Sequence, residues 1–263
     1  MTVAFVDIAW RGRGVCIEHS FVGVEDARAP LMIFLHEGLG SLAMWKDFPA
    51  QLCEITGLRG LVYSRPGYGR STPRSADEQW LPDFMHRQAH EVLPALLQAL
   101  GIDVQQQPPW LFGHSDGASI ALLHAARHPV AGLVAVAPHL FVEAVSVASI
   151  RLARSAYTDG TLKAGLAKYH QEPDSAFHGW NDVWLSAAFR AWNIEADIAV
   201  IKAPLLAVQG VDDQYGTLAQ IRRIPLAVPQ VQLLEIPACR HSPHRDQPQV
   251  LTAAVAAFVR QHR

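Results

Sequence analysis

The sequence predicts an α/β fold in which a mostly parallel sheet is covered by helices on both faces. Short apolar runs recur along the chain, each bounded nearby by glycine, proline or polar residues. Longer stretches with the apolar spacing of helices lie between them, and such an alternation is typical of parallel sheets. Half of the 263 residues are hydrophobic and 17% are charged, which indicates a chain that buries a large core.

The apolar runs are the predicted strands. Residues 3–18 are expected to form two short antiparallel strands, because the glycines within residues 11–14 favour a turn. The later runs suit strands that are buried on both faces of a sheet. They lie at residues 31–35, 61–63, 110–112, 133–136, 205–208 and 231–234.

The stretches with helical spacing are residues 44–55, 85–100, 118–127 and 249–259. The segment between the strands at 133–136 and 205–208 is far longer than one crossover helix needs. We therefore expect a helical lid insert at residues 138–202, with a core domain formed by residues 1–137 and 203–263. The insert holds three tryptophans, Trp180, Trp184 and Trp192.

Charge and cysteine content narrow the classes of partner. With 22 basic and 24 acidic residues the formal charge is −2, which provides little attraction to nucleic acid or an anionic membrane. Cys16, Cys53 and Cys239 fit neither a disulfide framework nor a metal-ligand spacing. The apolar run at residues 3–6 is cut by Asp7 and has no basic region ahead of it, so it is neither a signal peptide nor long enough to span a bilayer. We expect a small-molecule substrate, neither a nucleic-acid nor a membrane partner, and a cytoplasmic location.

The strongest local motif is the G-x-S-x-G pentapeptide at residues 113–117. It follows a predicted strand and precedes a predicted helix, which is the context that the motif requires. Its small end residues permit a sharp turn that lifts the Ser115 hydroxyl to the carboxyl edge of the sheet. The N-terminus of the following helix favours negative charge at that place. Ser115 is therefore the candidate nucleophile.

A lone serine is a poor nucleophile, so an acid and a base are expected to accompany it. The strand at 205–208 leads into Asp212 and Asp213, and either carboxylate would lie at the same sheet edge as Ser115. The last predicted strand is followed by His241, with His244 as its nearest rival. The chain order serine, aspartate, histidine is the order that accompanies this motif.

With these motifs in order, the sequence resembles the α/β-hydrolase superfamily, and specifically its small lidded serine hydrolases, which include carboxylesterases and carbon-carbon bond hydrolases. The resemblance covers nearly the whole chain and implies the α/β-hydrolase fold with an inserted helical lid. Residues 36–41 look like the family's oxyanion loop, and residues 65–71 resemble its R-x-G-x-G-x-S turn. The family's patterns select Asp213 over Asp212 and His241 over His244.

Glu37 and Arg240 depart from the family's pattern, because each stands where glycine is common. Both belong to loops near the predicted site. Since glycine usually provides conformational freedom there, Glu37 bears on the backbone geometry of the oxyanion loop. Neither departure removes a catalytic group.

The resemblance implies catalytic roles for Ser115, His241 and Asp213, with the backbone N–H groups of Gly38 and Asp116 as the oxyanion hole. The predicted function is hydrolysis of a small carboxylic ester or thioester through an acyl-enzyme. One alternative is hydrolysis of carbon-carbon bonds in vinylogous diketones by the same triad. The other is a ligand receptor on this fold that turns over slowly.

Two further residues are candidates for substrate binding. His139 follows the strand at 133–136, at the edge where ligands bind in open α/β sheets, although it also suits the hinge of the lid. Trp184 belongs to the insert expected to cover Ser115, where packing is its alternative role. Because Arg190 is the only cation among the clustered tryptophans, we expect an uncharged, partly apolar acyl group.

The sequence predicts neither a metal ion nor a nucleotide cofactor. His86 and His90, like His124 and His128, have helical i, i+4 spacing, but neither pair has the glutamate of an H-E-x-x-H motif. The glycines of the two loops that carry the family motifs lack the remainder of a dinucleotide fingerprint, so they are assigned to turns.

Overall fold

The computed structural model describes residues 2–26 and 28–263, which contain an eight-stranded sheet of order β1-β2-β4-β3-β5-β6-β7-β8. Strand β2 is antiparallel to β1 and to β4, and the other neighbours are parallel. The predicted N-terminal hairpin and mostly parallel sheet are therefore confirmed. The strands are β1 (Ala4–Trp10), β2 (Arg13–Gly23), β3 (Leu31–Leu35), β4 (Arg59–Tyr63), β5 (Trp110–His114), β6 (Gly132–Val136), β7 (Leu205–Gly210) and β8 (Gln232–Ile236).

The central strands are buried along their whole length. Every residue of β3, β5, β6 and β7 is buried, as expected for apolar runs covered on both faces. Phe34 of β3 is in register with Val62 of β4 on one side and with Phe112 of β5 on the other. Because these strands are parallel, the loops that follow them meet at one carboxyl edge of the sheet.

Helices cover both faces of this sheet. On one face, Leu52 and Val255 from two helices belong to the same buried apolar cluster as Phe112. On the other face, Leu96 and Ile120 belong to the same buried apolar cluster as Leu111. The core helices are α1 (Phe48–Thr56), α2 (Phe84–Arg87), α3 (Leu93–Ala99), α4 (Asp116–Ala125), and, after the lid segment, α9 (Ala219–Arg222), α10 (Ile224–Ala227), α11 (Pro243–Asp246) and α12 (Pro248–Gln261).

Two predicted helices are interrupted. The helix predicted at 44–55 is wrong at its start, because a 3-10 turn at Leu42–Trp45 is separated from α1 by Lys46, which has a positive φ of 55°. The stretch predicted at 85–100 is helical but contains a π-helical turn, Gln88–Val92, between α2 and α3. Pro94 has no N–H to donate to the preceding turn, which is a common origin of such a distortion.

The segment between β6 and β7, residues 138–202, is helical and is called the lid segment here. It contains α5 (Ala144–Thr158), α6 (Thr161–Leu166), α7 (Pro173–Leu185), a 3-10 turn (Ala188–Ala191) and α8 (Glu195–Ile198). A β-bridge between Phe141 and Asn193 joins its two ends. The division of the chain into a core domain and a lid domain stays a prediction. In the described parts of the chain, no helix is both long and apolar enough to cross a membrane.

Candidate active site

Ser115 lies in the tight turn between β5 and α4, with φ of 55° and ψ of −122°. A non-glycine residue with positive φ is strained, and the close packing around the turn maintains it. A Cβ on Gly117 would lie 2.1 Å from the carbonyl oxygen of Leu35, and one on Gly113 would lie 2.3 Å from the carbonyl oxygen of Gly117. Glycine is therefore required at both ends of the motif, so that strand and helix can approach.

Ser115, His241 and Asp213 meet at the carboxyl edge of the sheet. Nε2 of His241 is 3.0 Å from Oγ of Ser115, and its Nδ1 is 2.9 Å from each carboxylate oxygen of Asp213. Asp213 follows β7 and His241 follows β8, two neighbouring parallel strands. The fold thus brings together three residues that are distant in sequence, with 126 positions between Ser115 and His241.

The surroundings of Asp213 keep its carboxylate ionised. The carboxylate accepts hydrogen bonds from the backbone N–H of Tyr215 at 2.8 Å and from Nε2 of Gln209 at 3.2 Å. Burial alone would raise the pKa of Asp213, but the hydrogen bond and charge of His241 outweigh burial and hold that pKa below its usual value. An ionised Asp213 favours the His241 tautomer with a proton on Nδ1, which leaves Nε2 free to accept from Ser115.

The two rival residues lie elsewhere. Asp212 is exposed, whereas the side chain of Asp213 is 1% exposed. His244 is buried and packs against Trp45, with 5.1 Å between ring centroids. Of each rival pair, the geometry thus brings Asp213 and His241 to Ser115.

The loop after β3 brings Gly38 close to the lid segment. A Cβ on Gly38 would lie 2.1 Å from Nε1 of Trp180, so this position requires glycine. Within the described chain, neither the N–H of Gly38 nor that of Asp116 donates to a backbone acceptor. Glu37 does not have a positive φ, and the backbone freedom of glycine is therefore not needed at that position.

A buried arginine supports this loop. Nη2 of Arg65 donates to the carbonyl oxygen of Glu37 at 2.8 Å, and its backbone N–H donates to Nε2 of His36 at 3.1 Å. Nδ1 of His36 in turn donates to the same Glu37 oxygen at 2.8 Å. Burial, and then the charge of Arg65, lower the pKa of His36, so the imidazole is neutral. Both loops match family patterns in the sequence, but no local sequence pattern indicates that Arg65 joins them.

The side chain of Glu37 is connected to the backbone of His241 through His114. Its carboxylate lies 3.6 Å from Nδ1 of His114, and Nε2 of His114 donates to the carbonyl oxygen of His241 at 2.7 Å. Burial alone would raise the pKa of Glu37, but the nearby imidazoles of His114 and His244 hold it well below its usual range. Glu37 is therefore an ionised residue that helps to hold the loop carrying His241.

Replacing Glu37 with glutamine is expected to destabilise the protein by about 1–2 kcal/mol at neutral pH, because the half-buried charge beside His114 is lost. The folded-state pKa of Glu37 is depressed, so its contribution is complete above the unfolded value of about 4.3 and is lost as the pH falls below it. The difference in free energy of unfolding between the two proteins should therefore shrink between about pH 5 and pH 3. Urea denaturation at a series of pH values measures it.

Glu54 provides the matched control, because it is an exposed glutamate on α1. Glu54→Gln should change the free energy of unfolding by less than about 0.5 kcal/mol. A loss of equal size in both variants, or a Glu37→Gln loss independent of pH, would contradict the assigned contact.

A cavity of about 130 Å³ lies beside Ser115, between the sheet edge and the lid segment. Its walls include Leu39, Ile150, Trp180 and Trp184, together with His139. The rings of His139 and Trp184 are in edge contact, 4.9 Å apart between centroids. Both residues singled out as candidates for substrate binding therefore line the cavity next to Ser115.

The sequence matches a known protein family and a curated relative. Residues 32–255, from β3 into α12, match the family described as the alpha/beta hydrolase family. One curated relative is the mouse (Mus musculus) protein named sn-1-specific diacylglycerol lipase ABHD11. It is 25% identical over 272 residues, which cover 89% of this chain and 82% of that protein.

Solved structures share the fold over nearly the whole chain. Proline iminopeptidase from Mycobacterium smegmatis superposes with a TM-score of 0.75 at 19% identity, and the match covers 98% of each chain. A thermophilic esterase from Thermogutta terrifontis gives a TM-score of 0.71 at 17% identity, with 100% of each chain covered. The family match, which spans most of the sequence, and the common fold identify the group: the chain belongs to the alpha/beta hydrolase family of enzymes.

Proposed function

We propose that this protein is a serine hydrolase that cleaves a small carboxylic ester or thioester through an acyl-enzyme. The observation that carries the proposal is the unbroken line of contacts from Asp213 through His241 to Ser115, beside a small cavity. A nucleophile in contact with a base, and a base in contact with an orienting acid, is the arrangement that activates a serine hydroxyl.

In the acylation step, Oγ of Ser115 attacks the carbonyl carbon of the substrate, and Nε2 of His241 takes the hydroxyl proton. Asp213 stabilises the imidazolium that forms. The tetrahedral intermediate then collapses, the bond to the leaving alcohol or thiol breaks, and His241 returns its proton to that leaving group. The acyl group stays on Ser115.

The developing oxyanion would accept hydrogen bonds from the N–H groups of Gly38 and Asp116. One such donor is typically worth about 3 kcal/mol in the transition state. The Asp116 N–H belongs to the first turn of α4, where backbone donors have no partner within the helix. Arg65 and His36 support the loop that contributes Gly38.

In the deacylation step, His241 takes a proton from water as the water oxygen attacks the acyl carbonyl. The carbon-oxygen bond to Ser115 breaks, His241 protonates Oγ of Ser115, and the carboxylic acid leaves. Each proton that His241 accepts is returned in the same half-reaction, so the cycle needs no cofactor.

The size of the cavity supports a small acyl group. Its volume of about 130 Å³ is close to the roughly 150 Å³ of an engineered apolar cavity that holds benzene. Ile150 and Trp180 provide apolar walls. Burial lowers the pKa of His139 to about 3, so this wall residue is neutral at physiological pH and does not attract an anionic acyl group.

A substrate panel tests the proposal. We expect the purified protein to hydrolyse short p-nitrophenyl esters, or the matching aryl thioesters, with steady and multiple turnover. The absorbance of the released chromogenic leaving group measures the rate. The same panel includes a vinylogous diketone, which reports carbon-carbon bond hydrolysis. Faster cleavage of the diketone than of every ester and thioester would overturn the proposal in favour of that chemistry, and a burst of one equivalent without further turnover would favour a receptor.

A further inference from the structure

The side chain of Asp116 has a role that the proposed mechanism does not use. The residue is 1% exposed and lines the cavity beside Ser115. Both of its carboxylate oxygens face the same donor, Nε1 of Trp184, at 3.2 Å and 3.5 Å. One N–H group is thus shared by two buried acceptor atoms.

This carboxylate has fewer partners than its chemistry requires. An ionised carboxylate has about four acceptor positions, and a buried one is costly unless they are filled. Asp213, at the same sheet edge, accepts from His241, Gln209 and the backbone of Tyr215. Within the described chain, Trp184 is the hydrogen-bond donor to the side chain of Asp116. A hydrogen-bond donor on a molecule bound in the cavity would fill the acceptor positions of Asp116 that remain open.

Asp116 remains largely ionised near neutral pH. Burial raises its pKa to about 6, while the charge of Arg65 and the hydrogen bond from Trp184 oppose that rise. The group can therefore accept a hydrogen bond from a hydroxyl or pair with an ammonium.

The position of the carboxylate is also fixed. The Trp184 ring packs against His139, 4.9 Å away, and against Phe189, 4.8 Å away between centroids. A donor held in place by aromatic contacts on two sides restrains the acceptor that it binds. A donor that binds the open acceptor positions therefore does not incur a large entropic cost for ordering the side chain of Asp116.

We infer that Asp116 is a specificity-determining residue that binds a hydroxyl or ammonium donor on the part of the substrate held in the cavity. The inference rests on the proposed hydrolase function. Ile150 and Trp180 would contact the apolar part of the same group. An analogue without the donor would leave the buried carboxylate unpaired, and sites of this kind discriminate strongly against such analogues. A hydroxyl keeps the acyl group uncharged, as the sequence predicts, whereas an ammonium would make it cationic.

The first test compares p-nitrophenyl butanoate with the 3-hydroxybutanoate and 3-aminobutanoate esters, after subtraction of the uncatalysed rates. We expect kcat/KM for at least one donor-bearing ester to exceed that for butanoate by about tenfold or more. Asp116→Asn should bring this ratio towards one, because the variant keeps the size of the side chain but removes its charge. The ester with the higher ratio identifies the donor as hydroxyl or ammonium.

Asp182→Asn is the matched control, since Asp182 is on the same lid helix as Trp184 but is exposed and paired with Arg154. It should leave the ratio unchanged. A ratio near one for both donors in the unmodified protein, or the same ratio in Asp116→Asn, would overturn the inference.

A binding test separates failure of the inference from failure of the hydrolase proposal. Ser115→Ala protein is titrated with toluene, benzyl alcohol and benzylammonium, and binding is followed by tryptophan fluorescence and calorimetry. We expect a donor-bearing probe to bind about tenfold more tightly than toluene, and the added Asp116→Asn substitution to remove that difference. Preference without turnover of any ester would reject the hydrolase function alone. Ester turnover without preference in either assay would reject the role of Asp116 alone.

Discussion

Ser115→Ala is expected to abolish covalent labelling by a fluorophosphonate and to lower kcat by roughly 10⁶-fold, as loss of the nucleophile does in a serine protease. The reagent reacts with a serine hydroxyl that a base can deprotonate. Ser115 has that base, because Nε2 of His241 lies 3.0 Å from its Oγ. Intact mass measures the label, and p-nitrophenyl ester hydrolysis measures the rate.

Ser242 provides the matched control for this prediction. Ser242 also lines the cavity and is adjacent to His241 in sequence. Nε2 of His241, the nitrogen that would act as the base, contacts Ser115 instead. Ser242→Ala should keep one equivalent of label. Undiminished labelling of Ser115→Ala protein that is still folded, as judged by its thermal transition, would show that another residue is the nucleophile.

The fold was predictable because its central strands carry a simple signal. Strands that are buried on both faces are mostly apolar, and β3 and β6 contain no polar side chain. The long segment between β6 and β7 likewise indicated additional helices, which the structure contains. The break before α1 had a sequence signal that the apolar spacing of residues 44–55 masked. Pro49 lies in the first turn of α1, where proline is favoured, whereas it is disfavoured in the interior of a longer helix.

The arrangement of Ser115, Asp213 and His241 could be anticipated for a related reason. Each follows a strand of the same parallel sheet, so the order of strands and motifs predicts that they share one edge. The choice of Asp213 over Asp212 needed the family spacing, since either carboxylate follows β7. In the structure Asp213 is the one in contact with His241.

The side-chain contacts of Glu37 and Asp116 were not predicted from the sequence. Glu37 was recognised only as a departure from glycine, although it and His114 follow the adjacent strands β3 and β5, which could have suggested their proximity. The family resemblance implies a role only for the backbone N–H of Asp116. Its side-chain partner, Trp184, comes from the lid segment, and the packing of that segment is not encoded in local periodicity.

Asp213→Asn is expected to lower kcat by several orders of magnitude, about 10⁴-fold in the type case of serine proteases. An asparagine amide presents N–H groups to Nδ1 of His241 and so favours the tautomer with the proton on Nε2. That tautomer cannot accept the proton of Ser115. The loss should appear in single-turnover acylation as well as in kcat, because both half-reactions use the same imidazole nitrogen.

Asp212→Asn separates this effect from a general loss of charge in the loop after β7. Asp212 is exposed and does not contact His241, so its replacement should change kcat by less than about threefold. The Oδ1 atom of an asparagine at position 213 can still accept from the N–H of Tyr215, and the thermal transition should therefore move by only a few degrees. If the two variants show the reverse order of kcat, Asp212 is the acid and His241 must turn towards it during turnover. If neither lowers kcat more than tenfold, His241 works without a carboxylate partner and the proposed triad is reduced to Ser115 and His241.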